Sequence, residues 1–501
     1  MKIQITKIQE PDLEFGSQVH QPFVKDALLT GCGPFESSFY NGVKRINLGV
    51  VSLRAETEEI LDWVESLHDS LVFNETNAFR FREFLGAEKT LRCKFLVNDR
   101  HVKEIDEGKY RETQARYGRE RFDALLTLYS DQIQSLFADS GPDCILVQFP
   151  EEVASLRVAN SRLTVSERSF LERVQEEDDA WQYELFEMTP DQKKLASELL
   201  PQADELLYRN FHRALKARCM NMHNSVPIQV IRRHTYVPDE TSQSQSTIAW
   251  NIGLGLYYKA GNIPWRLHQI STDTCFVGIS FHYLKRRAGD MVYASVAQAF
   301  SSSGEGFALK GSTIPKDQTR NKQPYLRPSQ AEELMGDVLK HYQSKNGNLP
   351  SRVVIHKTSR YQPEEQEGIK SGLMDNVPSH EMIWLVPSGF RLLRRGMDPP
   401  DRGTLCTVED KESFLFTTGY VPRWNEYPGP HIPSPLELGT SEPENLVETA
   451  KDILALTKMN WNSSEAVGRH PITLSFARRV GMIMTELDED AQPNPLYRYY
   501  M

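Results

Sequence analysis

The sequence is poor in the features that mark secreted, membrane-spanning or zinc-ribbon proteins. Its 501 residues hold only six cysteines: Cys32, Cys93, Cys144, Cys219, Cys275 and Cys406. No two stand at CxxC spacing, which gives no motif for a zinc ribbon or a dithiol redox site and points to a reducing compartment. Cys144 and Cys275 lie in apolar runs and read as small core residues. No stretch approaches the roughly 18–20 apolar residues needed to cross a bilayer, and MKIQITKIQEPDLEF carries no apolar leader core. The expected location is therefore the cytoplasm, with no membrane partner. Walker A and HExxH motifs are missing, and no repeat recurs at a fixed period. Excess basic charge is missing too. Lys+Arg number 58 against 68 Asp+Glu, a net charge of −10. That excludes a protein that holds nucleic acid by bulk charge, but a local basic groove remains possible because binding follows the local field.

What is present is an ordinary globular composition, 39% hydrophobic and 25% charged, long enough for about three domains or two larger ones. Helical and strand patterns alternate. Phe122 to Ala138 has helical apolar spacing, and CILVQF, ended by Pro150, reads as a buried strand. Glu176, Glu177, Asp178 and Asp179 read as a solvated acidic patch. A helical region is predicted from Thr189, a possible N-cap with Pro190 in the first turn, to about Asn221. VPIQVI then suits a strand, Pro238 to Thr247 a loop, and IAWNIGLGLYYKAG a helix. Gly253 and Gly255 fall inside this helical pattern with no strand before them, so they make no dinucleotide fingerprint. After residues 250–270 come three strands in series, then alternating helices and strands, a hairpin, and two closing helices. The expected fold class is α/β.

Few residues stand out for chemistry. In FHRALKARCM, His212 and Lys216 are four apart and share one helix face. An imidazole and an ammonium there can hold a phosphate, and the same spacing also suits a solvated polar face. Gln229 is a polar amide in the apolar run VPIQVI and must face a surface or a partner. Lys259 follows two tyrosines in GLYYKAGNIPWRL, where Gly261 near a helix C-cap is the plain alternative.

Together these fragments resemble the Argonaute family, in particular the short prokaryotic Argonautes that keep only MID and PIWI domains. The resemblance rests on YYKAGNIPWRL (Tyr257 to Leu267), TCFVGISF (Thr274 to Phe281), VVIHKTSRY (Val353 to Tyr361) and LALTKMNWN (Leu454 to Asn462). It rests also on the order HxxxK, then Gln, then the Lys of YYKAG, and it spans nearly the whole chain. It implies a Rossmann-like MID domain with an N-terminal segment over residues 1–255, and an RNase H-like PIWI domain over 256–501. It implies that His212, Lys216, Gln229 and Lys259 grip the 5′-phosphate of a guide strand. Mg²⁺ would sit beside that phosphate, held partly by the Met501 carboxylate.

In slicing members of the family, clustered carboxylates hold two metal ions at the scissile phosphate. The matching positions here are Ser280 in VGIS, Thr358 in IHKT and Arg478 in SFARR. A hydroxyl does not replace a carboxylate on Mg²⁺, and an arginine repels the ion. Glu365 and Asp290 are the carboxylates that could substitute, though their spacing does not suggest it. The expectation is a protein that does not cut. It would bind a small guide RNA and complementary single-stranded DNA, and would signal through an APAZ-domain effector partner. That effector would be a TIR or sirtuin-like NAD-consuming domain, or a nuclease, acting in defence against plasmids or phage. The rival reading is a guide-directed slicing endonuclease with a non-standard metal site. Arg391, Arg394 and Arg395, Lys285 to Arg287, and Arg478-Arg479 are basic clusters. They are candidates to line the guide–target channel.

Overall fold

The computed structural model describes residues 2–501 except 117, 138–140, 157–209, 238–242, 269–272, 286–290, 302–305, 316–317, 321–322, 374–375, 394–395, 397–398, 410, 430–431, 442–444, 466 and 488–493. The acidic patch at Glu176–Asp179, the helix start at Thr189 and Asp290 lie outside the described residues.

Strand β1 (Ile3–Lys7) opens the chain, followed by the short β2 (Leu13–Glu14) and β3 (His20–Gln21). Next come β4 (Lys44–Leu53), β5 (Cys93–Ile105), β6 (Cys144–Gln148) and β7 (Ile228–Ile231). These four form a wholly parallel sheet in the order β5-β4-β6-β7. Such sheets are covered on both faces, so their strands read as near-continuous apolar runs. CILVQ in β6 is buried at every residue. The covering helices include α1 (Thr57–Ser66), α2 (Gly118–Ser135), α3 (Phe211–Met220) and α4 (Gln245–Lys259). Helix α4 is buried on nearly all sides, consistent with a sequence apolar around its circumference. The Ser244 side chain caps it by accepting from the Thr247 amide at 3.3 Å.

Beyond α4, β8 (Arg266–Leu267) joins β2 and β3 in a three-stranded sheet, order β3-β2-β8. A nine-stranded mixed sheet follows. It is built from β9 (Thr274–Lys285), β10 (Met291–Ser301) and β11 (Gly306–Ile314), then, past the two-stranded β12 (Thr319–Arg320) and β13 (Gln323–Pro324), from β14 (Arg352–Lys357), β15 (Ser379–Pro387), β16 (Thr404–Val408), β17 (Glu412–Phe416) and β18 (Leu436–Thr440). Its order is β1-β16-β17-β18-β15-β14-β9-β10-β11, with β9, β14 and β15 parallel at the centre. Strand β1 therefore adds to this second sheet, through antiparallel pairing with β16.

The two-residue period of a strand sorts the central side chains onto two faces. Cys275, Val277, Ile279, Val353 and Ile355 share a core with α5 (Pro328–Asn346) and α6 (Pro363–Leu373). Phe276 and Val354 face the other way, into the core shared with α7 (Leu446–Leu456) and α8 (Ile472–Met484). Gly278 is required there, because a Cβ would lie 2.3 Å from the Thr473 carbonyl oxygen where α8 crosses β9. The core on this face continues into the parallel-sheet half. Tyr258 packs on Trp461 at 4.3 Å, Trp265 on Trp461 at 6.5 Å, and Phe476 stacks on Tyr497 at 3.5 Å. Beside it, Glu10 accepts from the buried Lys458 at 2.7 Å and Arg402 at 3.1 Å, tying the N-terminal segment to the second half.

Candidate nucleic-acid interface

Helix α3 buries Phe211, Leu215 and Lys216, and its His212 ring lies edge-on to Phe149 at 6.1 Å. Asn210 caps it, accepting from the Arg213 amide at 3.2 Å. Lys216 is 6% exposed, and its Nζ donates to the main-chain oxygen of Met501, itself buried. Lys259 ends α4 at 2% exposure and donates to Gln229 Oε1, while Gln229 Nε2 donates to the Val230 carbonyl at 2.9 Å. The site thus unites Lys259 with Gln229, and Lys216 with Met501. Lys216 and Lys259 both act on His212, and Lys259 acts on Lys216.

The electrostatics are one-sided. Burial pushes Lys216 well below its ordinary range, and Lys259 and Arg479 push it further. Burial lowers Lys259 to about 8, with Arg479 adding to the fall and the Cys144 thiol opposing it. Burial also holds His212 far below the usual imidazole range, reinforced by Lys216, Lys259, Arg213 and Arg232. Among the described residues no Asp or Glu side chain is among the groups acting on either lysine. The buried His212 Nε2 has no hydrogen-bond partner there. Buried charges are ordinarily paired, and among the described residues no Asp or Glu side chain supplies that pairing to either lysine.

The sequence marks Arg479 only as a candidate to line the guide–target channel, and does not show its place beside Lys216 and Lys259. The single available signal was the Arg478-Arg479 pair in the last long helix. The role of Gly255 was missed as well. It stands one turn before Lys259, and a Cβ there would lie 3.1 Å from Asn462 Oδ1 and 3.8 Å from Gln229 Oε1. A side chain there would press on the Asn462 amide and merely touch Gln229. A Mg²⁺ ion fits this donor set only together with a phosphate. Met501 offers one oxygen, already engaged by Lys216, and Mg²⁺ demands about six oxygens in octahedral array.

On the second sheet, Ser280 is buried on β9, on the face toward α8, which carries Arg478. The parallel register sets Lys357 opposite Ile279, so Thr358 follows beside Ser280 just past the end of β14. His356 on that face bonds Thr473 Oγ1 through Nδ1 at 2.9 Å, and burial lowers it to about 3. Glu365 lies on the opposite face. It pairs with Lys357 at 2.5 Å, both side chains being fully buried, and accepts from the Leu326 amide at 3.0 Å and the Gln362 amide at 3.3 Å. The rings of Phe281 and Tyr361 flank Lys357 at 5.3 and 5.2 Å. Glu365 is thus committed to Lys357, away from the Ser280 side. Of the basic clusters, Arg391 is exposed and donates to the Ser388 and Phe390 carbonyls. Arg286, Arg287, Arg394 and Arg395 lie outside the described residues, as does the Lys285 side chain.

No family model matches the sequence, and no curated protein matches it. Solved structures do. Clostridium butyricum Argonaute, bound to a guide DNA and a 19-mer target DNA, aligns at a TM-score of 0.59 and 15% identity over 99% of this chain and 55% of its own. Aa-Ago with externally bound siRNA gives 0.58 at 15% identity, covering 99% and 56%. A. aeolicus Argonaute gives 0.54 at 15% identity, covering 99% and 55%. The fold is Argonaute-like: α/β, with a Rossmann-like MID unit followed by an RNase H-like PIWI unit. The chain spans little more than half the length of these structures.

Proposed function

We propose that this chain is a guide-dependent nucleic-acid sensor of the short Argonaute kind, with MID over residues 1–255 and PIWI over 256–501. The observation that carries the reading is the cluster of buried Lys216 and Lys259 with half-buried His212 and Arg479, in which no Asp or Glu side chain acts on the lysines or the imidazole among the described residues. A 5′-terminal phosphate bears nearly two charges and three acceptor oxygens, and two lysines, an amide and an imidazole are the donors it needs. The guide is a small RNA in this reading. Complementary single-stranded DNA pairs with it, so that base pairing supplies sequence specificity while the protein reads backbone charge and shape. A Mg²⁺ ion is held jointly by the phosphate and the Met501 main-chain oxygen. Its test is the guide affinity with Mg²⁺ and with chelator, which should differ.

The chain does not cut in this proposal. The three positions matched to metal ligands hold Ser280, Thr358 and Arg478, and the pairing of Glu365 with Lys357 supports the same reading. Output then passes to an APAZ-domain effector, a TIR or sirtuin-like NAD-consuming enzyme or a nuclease, in prokaryotic defence against plasmids and phage. The decisive measurement is filter binding of 5′-phosphorylated against 5′-hydroxyl guides. Equal affinity would end the phosphate-anchor reading. Cleavage of a matched target by the isolated chain would establish the slicing alternative instead.

A further inference from the structure

The three-stranded sheet β3-β2-β8 gathers a second set of chemistry-bearing side chains, away from the phosphate pocket. Glu14 on β2 is the direct cross-strand partner of His20 on β3 and of Arg266 on β8. Directly opposed residues of antiparallel strands share a face, so these three project together. His268 lies two residues beyond Arg266 and returns to that face, its amide donating to the Asp12 carbonyl at 3.2 Å. The His20 and His268 rings stack, with centroids 3.7 Å apart and planes 23° apart. One ligand atom from each of Glu14, His20 and His268 lies within 4.8 Å of the other two. Arg266 donates to both Glu14 oxygens, at 2.8 and 3.1 Å. That fork fixes the carboxylate plane and leaves each oxygen a further acceptor site.

We propose that Glu14, His20 and His268 form a binding site for a transition-metal dication, Zn²⁺ by ligand type. Two imidazoles and a carboxylate are a recurrent Zn²⁺ set, with the fourth tetrahedral position open to water or a further ligand. The set disfavours Mg²⁺, which prefers oxygen alone. Ligands about 2.0–2.1 Å from Zn²⁺ at tetrahedral angles stand about 3.3 Å apart. The three atoms must therefore close by at most about 1.5 Å, a movement that side-chain torsions of the exposed His20 and half-exposed His268 supply. Arg266 is a positioning residue here, presenting the carboxylate through its fork. A bound ion would tie the N-terminal strands β2 and β3 to β8, which leaves the same turn that ends helix α4 at Lys259. The site does not depend on the guide-binding reading.

The experiment is calorimetric titration of the purified chain with Zn²⁺ and, in parallel, with Mg²⁺, followed by thermal unfolding with and without Zn²⁺. One equivalent of Zn²⁺ should bind with a rise in the unfolding midpoint, and Mg²⁺ should not bind at this site. His20→Ala removes an exposed side chain and leaves the fold intact. It should weaken Zn²⁺ binding by more than roughly 10–100-fold, the scale for losing even an outer group that supports a metal ligand, and should abolish the thermal shift. His268→Ala should do the same. Absence of stoichiometric Zn²⁺ binding, or equal binding by both histidine variants and the wild type, would overturn the proposal.

Discussion

The two halves of the molecule bury lysines to opposite ends. Lys357 lies at zero exposure between β14 and α6, yet Glu365 meets it at 2.5 Å and two rings enclose the pair. Lys216 and Lys259 are nearly as deep, but among the described residues no Asp or Glu side chain acts on them; Lys216 meets only the Met501 main-chain oxygen and the Cys144 thiol against Lys259 and Arg479, and Lys259 the Gln229 amide. A neutralised pair is a finished piece of core. An unneutralised pair costs stability until something negative arrives, and such groups concentrate where ligands bind. Burial alone therefore does not tell a neutralised lysine from one without an acidic partner; the groups around it do.

The largest effect that would sharpen this contrast is on stability. Glu365→Ala strands Lys357 without a partner in a dry core and should cost about 3–5 kcal/mol, read as a lowered denaturation midpoint. Lys216→Met removes a lysine of similar depth that has no acidic side chain beside it and leaves the Met501 oxygen unpaired, so it should cost less, about 1–3 kcal/mol. A large loss of stability in Lys216→Met would erase the distinction between the two lysines.

Next in size is binding. Lys216→Ala or Lys259→Ala should weaken a 5′-phosphorylated guide by about 1.5–3 kcal/mol, the range of a charge-assisted hydrogen bond. A 5′-hydroxyl guide should scarcely respond. Equal losses for the two guides would remove both lysines from the phosphate.

A smaller effect appears with pH. Lys259 falls from an ordinary 10.5 to about 8 in the fold, so the free protein carries it charged only below about pH 8. A bound phosphate restores the proton. Guide affinity should thus be full below about pH 8 and fall as pH rises toward 10.5, by up to about tenfold per unit for each proton taken up. Calorimetry in buffers of different ionisation heat should register that uptake. A flat profile from pH 7.5 to 9.5 would show that Lys259 does not charge on binding.

The smallest expected effect is none. Ser280→Asp should create no target cleavage with any divalent ion, because one carboxylate cannot hold two metals. Cleavage products on a denaturing gel would contradict this.

Local features were readable before the structure was known. The HxxxK spacing lies on one helix face, CILVQ is the interior strand of a parallel sheet, and GLYYKAG delivers Lys259 at a helix end, because each depends only on chain period and termination. What the sequence hid depends on contacts between distant segments. Nothing in IQITK shows that it will pair with TLCTV about four hundred residues later. Nor does SFARRV tell which of two arginines will turn toward Lys216. The face on which Glu365 falls follows from the register of β14 against α6, which no local pattern encodes.

The pairing of Ile3–Lys7 with Thr404–Val408 also has a consequence for synthesis. At about 5–20 residues per second, the partner strand is made roughly 20–80 s after β1. The nine-stranded sheet therefore acquires this edge only late in translation, when most of the chain already exists. Until then a short strand of alternating apolar and polar residues waits unpaired, and loop closure over so long a span is slow. Protease pulses on stalled nascent chains should find the Ile3–Lys7 strand open to cleavage up to the point where residue 408 clears the ribosome, and closed thereafter.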